Sequence, residues 1–344
     1  MLLVKKHGVI LTPTKLDFES RAVLNPGVLQ DGDHVHLVYR AVNNKHVSSI
    51  GYARLKGPLE VEQRWKHAFM EPSHKYESMG MEDPRLTQIG DTVYMTYVAH
   101  DGKNAQIAYA KGPSVAKLKK SGLIGPKIRY DIAGKHFRQN KLKDDYYFFE
   151  SFYKTYNGKD ILIWEKDGIL WPEKINGKFV LTHRILPDIQ IAYFKDFAEL
   201  KTNSYWANYL EDFDHYVLLE GRHGWEERHI GGGAPPIKTK EGWLTIYHGV
   251  EETNKQRTYH AGVALFDLKN PNRLVARLPY PLFSPEEDYE VMGDVHNVVF
   301  PTGTALFKDD LYIYYGAADS HIAVASVSLK GLLIELRRHR GDLI

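Results

Sequence analysis

The chain has 344 residues, 43% of them apolar and 12% aromatic, enough to bury a sizeable core. Its formal charge of +2 is too small to argue for nucleic acid or a membrane surface as partner. The absence of cysteine excludes disulfides and thiolate metal sites and fits a reducing compartment. The opening "MLLVKKHGVILTP" carries its charges inside any apolar stretch, unlike a signal peptide. No run approaches the roughly 18 apolar residues of a membrane helix. A cytoplasmic location is the expectation.

In chain order, five segments read alike. They are "NPGVLQDGDHVHLVYRAV" from Asn25, "DPRLTQIGDTVYMTYVAH" from Asp83, "WPEKINGKFVLTHRIL" from Trp171, "PPIKTKEGWLTIYHGV" from Pro235 and "FPTGTALFKDDLYIYYGA" from Phe300. Each starts with a residue before proline, followed by a short strand, a turn, and a strand ending in a ring: Tyr39, Tyr97, His183, Tyr247 and Tyr315. A strand rich in small residues follows each ring: "IGYA", "IAYA", "IAYF", "AGVA" and "IAVA". Successive rings lie about 58, 86, 64 and 68 residues apart. This is wider than the roughly 40 to 50 residues of familiar propeller repeats. The widest gap predicts an insertion around "SGLIGPKIRYDIAGKHFRQNK".

Four-stranded units repeated radially make a β-propeller. The sequence therefore predicts an all-β, five-bladed β-propeller with its site in the central channel, built as one domain over residues 1–330. Helix is expected to be scarce, with "LLIELRRHR" from Leu332 to Arg340 as its best candidate, in a tail over 331–344 that could dock on a neighbour in a homo-oligomer. A β-sandwich is the alternative.

Equivalent positions of different blades meet at the channel. One predicted row holds the residues before proline: Asn25, Asp83, Trp171, Pro235 and Phe300. The other holds the residues after the ring: Arg40, Val98, Arg184, His248 and Gly316. Proline biases its predecessor toward extended geometry, which suits the start of a strand. Blades do not need the polar members of these rows, so their convergence suggests a site. A carboxyl group in a partly desolvated channel holds its proton more tightly and can donate it, which makes Asp83 the acid candidate. The bland reading is an Asp83–Arg85 ion pair that stiffens the turn.

Arg40, Arg184 and His248, with Lys166 and His229 in flanking loops, make a basic cluster that an anion such as phosphate could fill. The bland reading pairs them with Glu173, Glu226 or Glu227. The run Gly231-Gly232-Gly233 reads as a tight turn approached by ligand. Asp319, in "GAAD", could bind sugar hydroxyls. Trp171, Trp225, Tyr247 and Tyr259 could stack on sugar faces or simply pack the blades. The HxH of His34 and His36 lies outside the basic set, so no metal is expected.

The stretches "EDPR", "LWPEKINGKFVLTHR", "IGGGAPPIKTKEGWLTIYHGV", "VVFPTG" and "YYGAAD" resemble glycoside hydrolase family 130, the β-mannoside phosphorylases and related mannosidases. The resemblance runs from about Asn25 to Ala325. It implies a five-bladed propeller and inverting phosphorolysis of a β-mannoside to α-mannose 1-phosphate. It places the general acid on Asp83, acting through a hydroxyl of the bound mannose. Phosphate is the nucleophile and co-substrate, with no other cofactor. It also implies phosphate ligands at Lys166, Arg184, His229, His248 and Tyr259, and mannose ligands at Asn25, Arg40, Asp83 and Asp319.

Two positions depart from the family. Glu165 stands where asparagine is frequent, which would set a carboxylate near phosphate. His229 stands where lysine is frequent, and is cationic only if an anion holds its proton. The substrate preference leans to β-1,2-mannobiose or short mannooligosaccharides. Acceptor contacts are expected from 103–140 and 203–227. The main alternative is an inverting β-mannosidase, which needs a carboxylate base to activate water. Glu165, Glu226, Glu227, Glu251 and Glu252 are the candidates for that base. The other alternative is a sugar-binding propeller without catalysis.

Overall fold

The structure is a computed structural model that describes residues 2–340. Five antiparallel blades surround a channel. Their strands run through Ala22–Asp31, His34–Val42, Ser48–Lys56 and Glu60–Arg64 in blade 1, and Gly80–Ile89 to Lys119–Leu123 in blade 2. Blade 3 uses Lys166–Leu170, Phe179–Ile185, Asp188–Phe194 and Val217–Leu219. Blade 4 is built on His229–Gly232, Trp243–Thr253, Gln256–Phe266 and Leu274–Arg277, and blade 5 on Val299–Phe307, Asp310–Ala317 and His321–Ser328. The fourth strand of blade 5 is Lys5–Leu11, which pairs with His321–Ser328 and closes the ring. This is the five-bladed propeller that the repeats predict.

Each blade alternates large and small residues because its faces stack on two neighbours. The small-residue strands carry Gly51, Ala108, Gly262 and Ala323 opposite the ring positions of blades 1, 2, 4 and 5, whereas His183 of blade 3 faces Gln190. A Cβ at Gly51 or Gly262 would overlap the Tyr39 or Tyr247 ring. The rings are locked by a second repeat. Tyr39 donates to Glu19 at 2.8 Å, Tyr97 to Glu77 at 2.7 Å, Tyr247 to Glu226 at 2.6 Å and Tyr315 to Glu290 at 2.7 Å. In blade 3 the pair is His183 Nδ1 and Glu165 at 2.8 Å. All five glutamate side chains are fully buried. Arg64, Lys120, Arg277 and Lys6 neutralise four of them at 2.6–2.8 Å. Buried carboxylates are tolerated when paired in this way.

Helix is less scarce than expected. The predicted insertion between blades 2 and 3 folds into Tyr130–Phe137 and Asp145–Asn157, and Asn203–Glu211 packs with them in one apolar cluster. The apolar residues Tyr146, Phe149 and Tyr153 recur at intervals of three and four, a spacing that the strand-oriented reading passed over. The C-terminal helix is Leu329–Arg338; it buries Leu332 and Leu336 against blades 4 and 5 of its own chain, so that face is already covered. Residues 341–344 lie outside the described residues. Among the described residues no helix is long and apolar enough to cross a membrane.

Candidate active site

The two predicted rows are half right. The row after the ring is as read. Arg40 pairs with Leu24, Val98 with Glu82, Arg184 with Lys166, His248 with Gly231 and Gly316 with Phe300. The row before proline needs correction. In blade 3 the partner register makes Asp167, not Trp171, the counterpart of Asn25 and Asp83. Trp171 is fully buried beside Trp243, with ring centroids 5.3 Å apart. In blade 4, Gly232 lies opposite Tyr247, and Pro235 lies beyond the inner strand.

The geometry before proline also differs from expectation. Asn25, Asp83 and Asp167 have φ of 50°, 49° and 52°, in the left-handed region rather than extended. Each falls at a register shift, between Leu24 and Gly27, Glu82 and Arg85, and Lys166 and Ile169. A bulge of this kind re-aims one side chain, and Asn and Asp are the side-chain-bearing residues that best tolerate it. Asp319 has φ 50° as well. Thus the amide and carboxylates of the site share one unusual backbone conformation.

The acids and the arginine of "EDPR" each have a partner. Glu82 accepts from Arg40 at 2.9 Å and from Lys166 at 3.1 Å. Burial would push Glu82 up, but Arg40 and Lys166 hold it down at about 2. Asp83 Oδ1 accepts from Asn25 Nδ2 at 2.7 Å and lies 3.6 Å from Arg40. Arg85 does not pair with the Asp83 carboxylate. It donates to the Asp83 main-chain carbonyl at 2.8 Å and to Gly233 O at 2.6 Å. It also stands 3.7 Å from Asp167 and 5.8 Å from the Phe300 ring centroid. One fully buried guanidinium therefore touches blades 2, 3, 4 and 5 and floors the site.

Beyond that floor lies the basic set. Arg184 Nε is 2.7 Å from Asp167 Oδ2, and His248 Nε2 is 4.0 Å from the same oxygen. The His248 ring lies 6.3 Å from His229, 6.1 Å from Tyr259 and 4.3 Å from Phe300. Burial, then Arg184 and His248, push His229 well below the usual histidine range. Burial, then Arg184 and Arg85, do the same to His248. Both rings are therefore neutral at pH 7. His248 Nδ1 and Nε2 and His229 Nδ1 are buried with no hydrogen-bond partner in the protein. Burial raises Tyr259, keeping it a hydroxyl donor. Gly231 is strand rather than turn, and a Cβ there would overlap Asp167 and His248.

Asp319 is raised to about 6 by burial, against Arg40, with Asp83 and Asp294 adding to the rise. A Cβ at Gly316 would overlap Asn25, so glycine lets the amide reach Asp83. The expected residues Asn25, Arg40, Asp83, Lys166 and Arg184 are thus brought together, with His229, His248 and Tyr259 grouped around Arg184. Asp319 joins them through its interaction with Arg40. Two residues were missed, Glu82 and Asp167. Aspartate before glycine in "EKDGIL" marks a left-handed position and was the available signal for Asp167.

The cations are also not left without acids, as the sequence suggested. Glu82 pairs Arg40 and Lys166, and Asp167 pairs Arg184. The bland partners lie elsewhere: Glu173 with Lys238, and Glu226 with Arg277. Glu165 faces His183 inside blade 3. Among the base candidates, Glu226 is locked to Tyr247, Glu252 to Arg228 and Arg257, and Glu251 lies beside His260. Tyr247 is fully buried, and Trp225 stacks on it and bonds Pro279 O, so neither is a platform for sugar. Among the described residues no cluster of three His, Cys, Asp or Glu is arranged to hold a metal.

A sequence profile described as β-1,4-mannooligosaccharide phosphorylase, glycoside hydrolase family 130, matches residues 9–338. The chain belongs to glycoside hydrolase family 130. It is 36% identical over 334 residues to a β-1,2-mannobiose phosphorylase of Thermoanaerobacter sp. (strain X514), covering 92% of this chain and 94% of that one. It is 30% identical over 342 residues to a 1,2-β-oligomannan phosphorylase of the same strain, covering 94% and 96%. The crystal structure of β-1,2-mannobiose phosphorylase from Listeria innocua, in complex with β-1,2-mannobiose, superposes with a TM-score of 0.73 at 25% identity, covering 98% and 99%. Within this family 130 chain the channel carries the polar constellation described above.

Proposed function

We propose that the chain is an inverting β-mannoside phosphorylase acting on β-1,2-mannobiose or short β-1,2-mannooligosaccharides. Asp83 is the general acid, and inorganic phosphate is the co-substrate. A phosphate oxygen attacks C1 of the mannosyl unit from the face opposite the leaving sugar. The glycosidic C–O bond breaks, and the departing oxygen takes the Asp83 proton, relayed through a hydroxyl of the bound mannose. The products are α-mannose 1-phosphate and the shortened sugar. Asn25, Arg40, Asp83 and Asp319 hold the mannose; Lys166, Arg184, His229, His248 and Tyr259 hold the phosphate.

One observation carries this reading. Unpartnered ring nitrogens of His229 and His248 lie buried beside Arg184, one guanidinium away from the segment that bears Asp83. Buried polar groups are normally satisfied, and an oxyanion with several acceptor oxygens would satisfy these. The linkage preference rests on the two relatives that span nearly the whole chain and are named for β-1,2-mannosides.

Asp167 favours a second reading. It is a fully buried carboxylate 2.7 Å from Arg184, and an inverting mannosidase needs such a base for water. The deciding assay incubates β-1,2-mannobiose with and without phosphate and separates mannose 1-phosphate from free mannose. Phosphate-dependent mannose 1-phosphate supports the phosphorylase. Mannose release that ignores phosphate moves the assignment to the hydrolase. Binding without turnover, unchanged in Asp83→Asn, leaves a sugar-binding propeller.

A further inference from the structure

Away from the channel, a surface cavity of about 600 Å³ lies between blades 3 and 4. Its walls come from the turn before Phe179–Ile185, from Tyr193, from the helix Asn203–Glu211 and from the turn at 269–272. Four of its twelve lining residues are tyrosines, four are asparagines, two are the lysines Lys178 and Lys269, and none is acidic. The whole chain has only 22 tyrosines in 344 residues, so the enrichment is local. The size falls in the usual range of small-ligand sites, roughly 300–1,000 Å³.

The rings are fixed before any ligand arrives. Tyr209 and Tyr216 stack at 4.2 Å and 20°, and Tyr205 lies nearly parallel to Tyr209, at 15°. Tyr205 Oη donates to the Tyr193 carbonyl at 3.0 Å, and Tyr193 Oη donates to the Asn272 side-chain oxygen. That last bond ties blade 3 to the turn of blade 4, across the cavity. Asn176 and Asn208 are exposed at its rim. Ring faces suit the C–H faces of a pyranose, and amides suit hydroxyls because they both donate and accept. The absence of carboxylates argues against a cation, and gives this cavity no acid for turnover.

We infer that this Tyr/Asn cavity is a second, non-catalytic binding site for a neutral oligosaccharide. It would hold part of a longer chain, or a second chain, while the channel acts on a terminal unit. The choice of a β-mannoside as probe rests on the function proposed above.

The test uses β-1,2-mannotriose with the full chain carrying Asp83→Asn, to stop turnover. Titration calorimetry is expected to give two sites per chain. Adding Asn208→Trp, which fills the cavity from an exposed helix position, is expected to leave one site. Tyr216→Ala is a second variant, expected to weaken the distal site at least tenfold. One site in every protein, or two sites indifferent to both substitutions, overturns the inference. If phosphorolysis proceeds and the second site is missing, only this inference falls. If the channel is inert to mannosides but the Asn208-sensitive site binds, only the functional proposal falls.

Discussion

Arg85 donates its 2.8 Å hydrogen bond to the main-chain carbonyl of Asp83, not to its carboxylate. On the carbonyl, it fixes the left-handed turn that aims the Asp83 side chain at Asn25, 2.7 Å away, and Arg40, 3.6 Å away. Arg85→Lys keeps the charge but loses the fork that also reaches Gly233. We expect a folded protein whose kcat is about 10- to 100-fold lower, since small misplacements of catalytic groups have such costs. Steady-state kinetics beside a thermal melt would check it; unchanged kcat would refute the positioning role.

Asp167 is the counter-charge of Arg184. On the proposed function, phosphate would share that arginine with a fixed carboxylate. Asp167→Asn removes the repulsion while keeping the shape, so the phosphate KM should fall about three- to tenfold, the scale of roughly 1 kcal/mol of charge interaction. If Asp167 instead orients Arg184, the KM rises. If it is the base of a hydrolase, phosphate-independent release disappears.

The two histidines predict a proton linkage. Burial and Arg184 push His229 and His248 well below the usual histidine range. A bound anion would raise both, so phosphate binding, if it occurs here as proposed, is expected to take up protons. As pH rises through their ligand-bound values, those protons leave and phosphate affinity falls. Calorimetry in buffers of different ionisation enthalpy should record net uptake. His229→Lys should flatten the dependence; equal heats in all buffers would contradict it.

Asp319, at about 6, titrates in the working range. If its carboxylate accepts mannose hydroxyls, kcat/KM for the mannoside falls as pH drops below about 6, because protonation removes the acceptor. Asp319→Asn should lower activity throughout and erase that limb of the profile. A limb that persists in the variant assigns it to another group.

Glu165 belongs to the fold rather than to phosphate. Glu165→Gln weakens the buried 2.8 Å contact with His183 that locks blade 3, and the loss of a buried polar contact of this kind costs roughly 1–3 kcal/mol. Denaturant unfolding should register this, with the phosphate KM unchanged within twofold. A large fall in that KM would restore the repulsion expected from the sequence.

The repeats were legible because rings and small residues alternate at positions that every blade must fill. The site row after the ring followed directly from them. Blade 3 misled because "WP" at Trp171 imitates the start of a repeat, whereas its bulge is built on Asp167-Gly168 without proline. The glutamate locks escaped notice although their spacing was present: Tyr39, Tyr97, Tyr247 and Tyr315 follow their glutamates by 20, 20, 21 and 25 residues. These four glutamates sit in single-turn helices, Asp17–Glu19, Lys75–Glu77, Gly224–Glu226 and Asp288–Val291, which are too short for periodicity to be a guide. Arg85 could not be read at all as a hub, because its contacts with Asp167, Gly233 and Phe300 come from three blades distant in sequence.

The strand Lys5–Leu11 is synthesised before the blade it completes, and its partners His321–Ser328 emerge some three hundred residues later. Until then Lys6 has no Glu290 to neutralise, and one edge of the nascent sheet assembly stays open. Emergence of His321–Ser328, rather than of any earlier blade, thus gates the final clasp. Conditions that slow that last pairing should show up as aggregation during expression more than as lost stability of the finished ring.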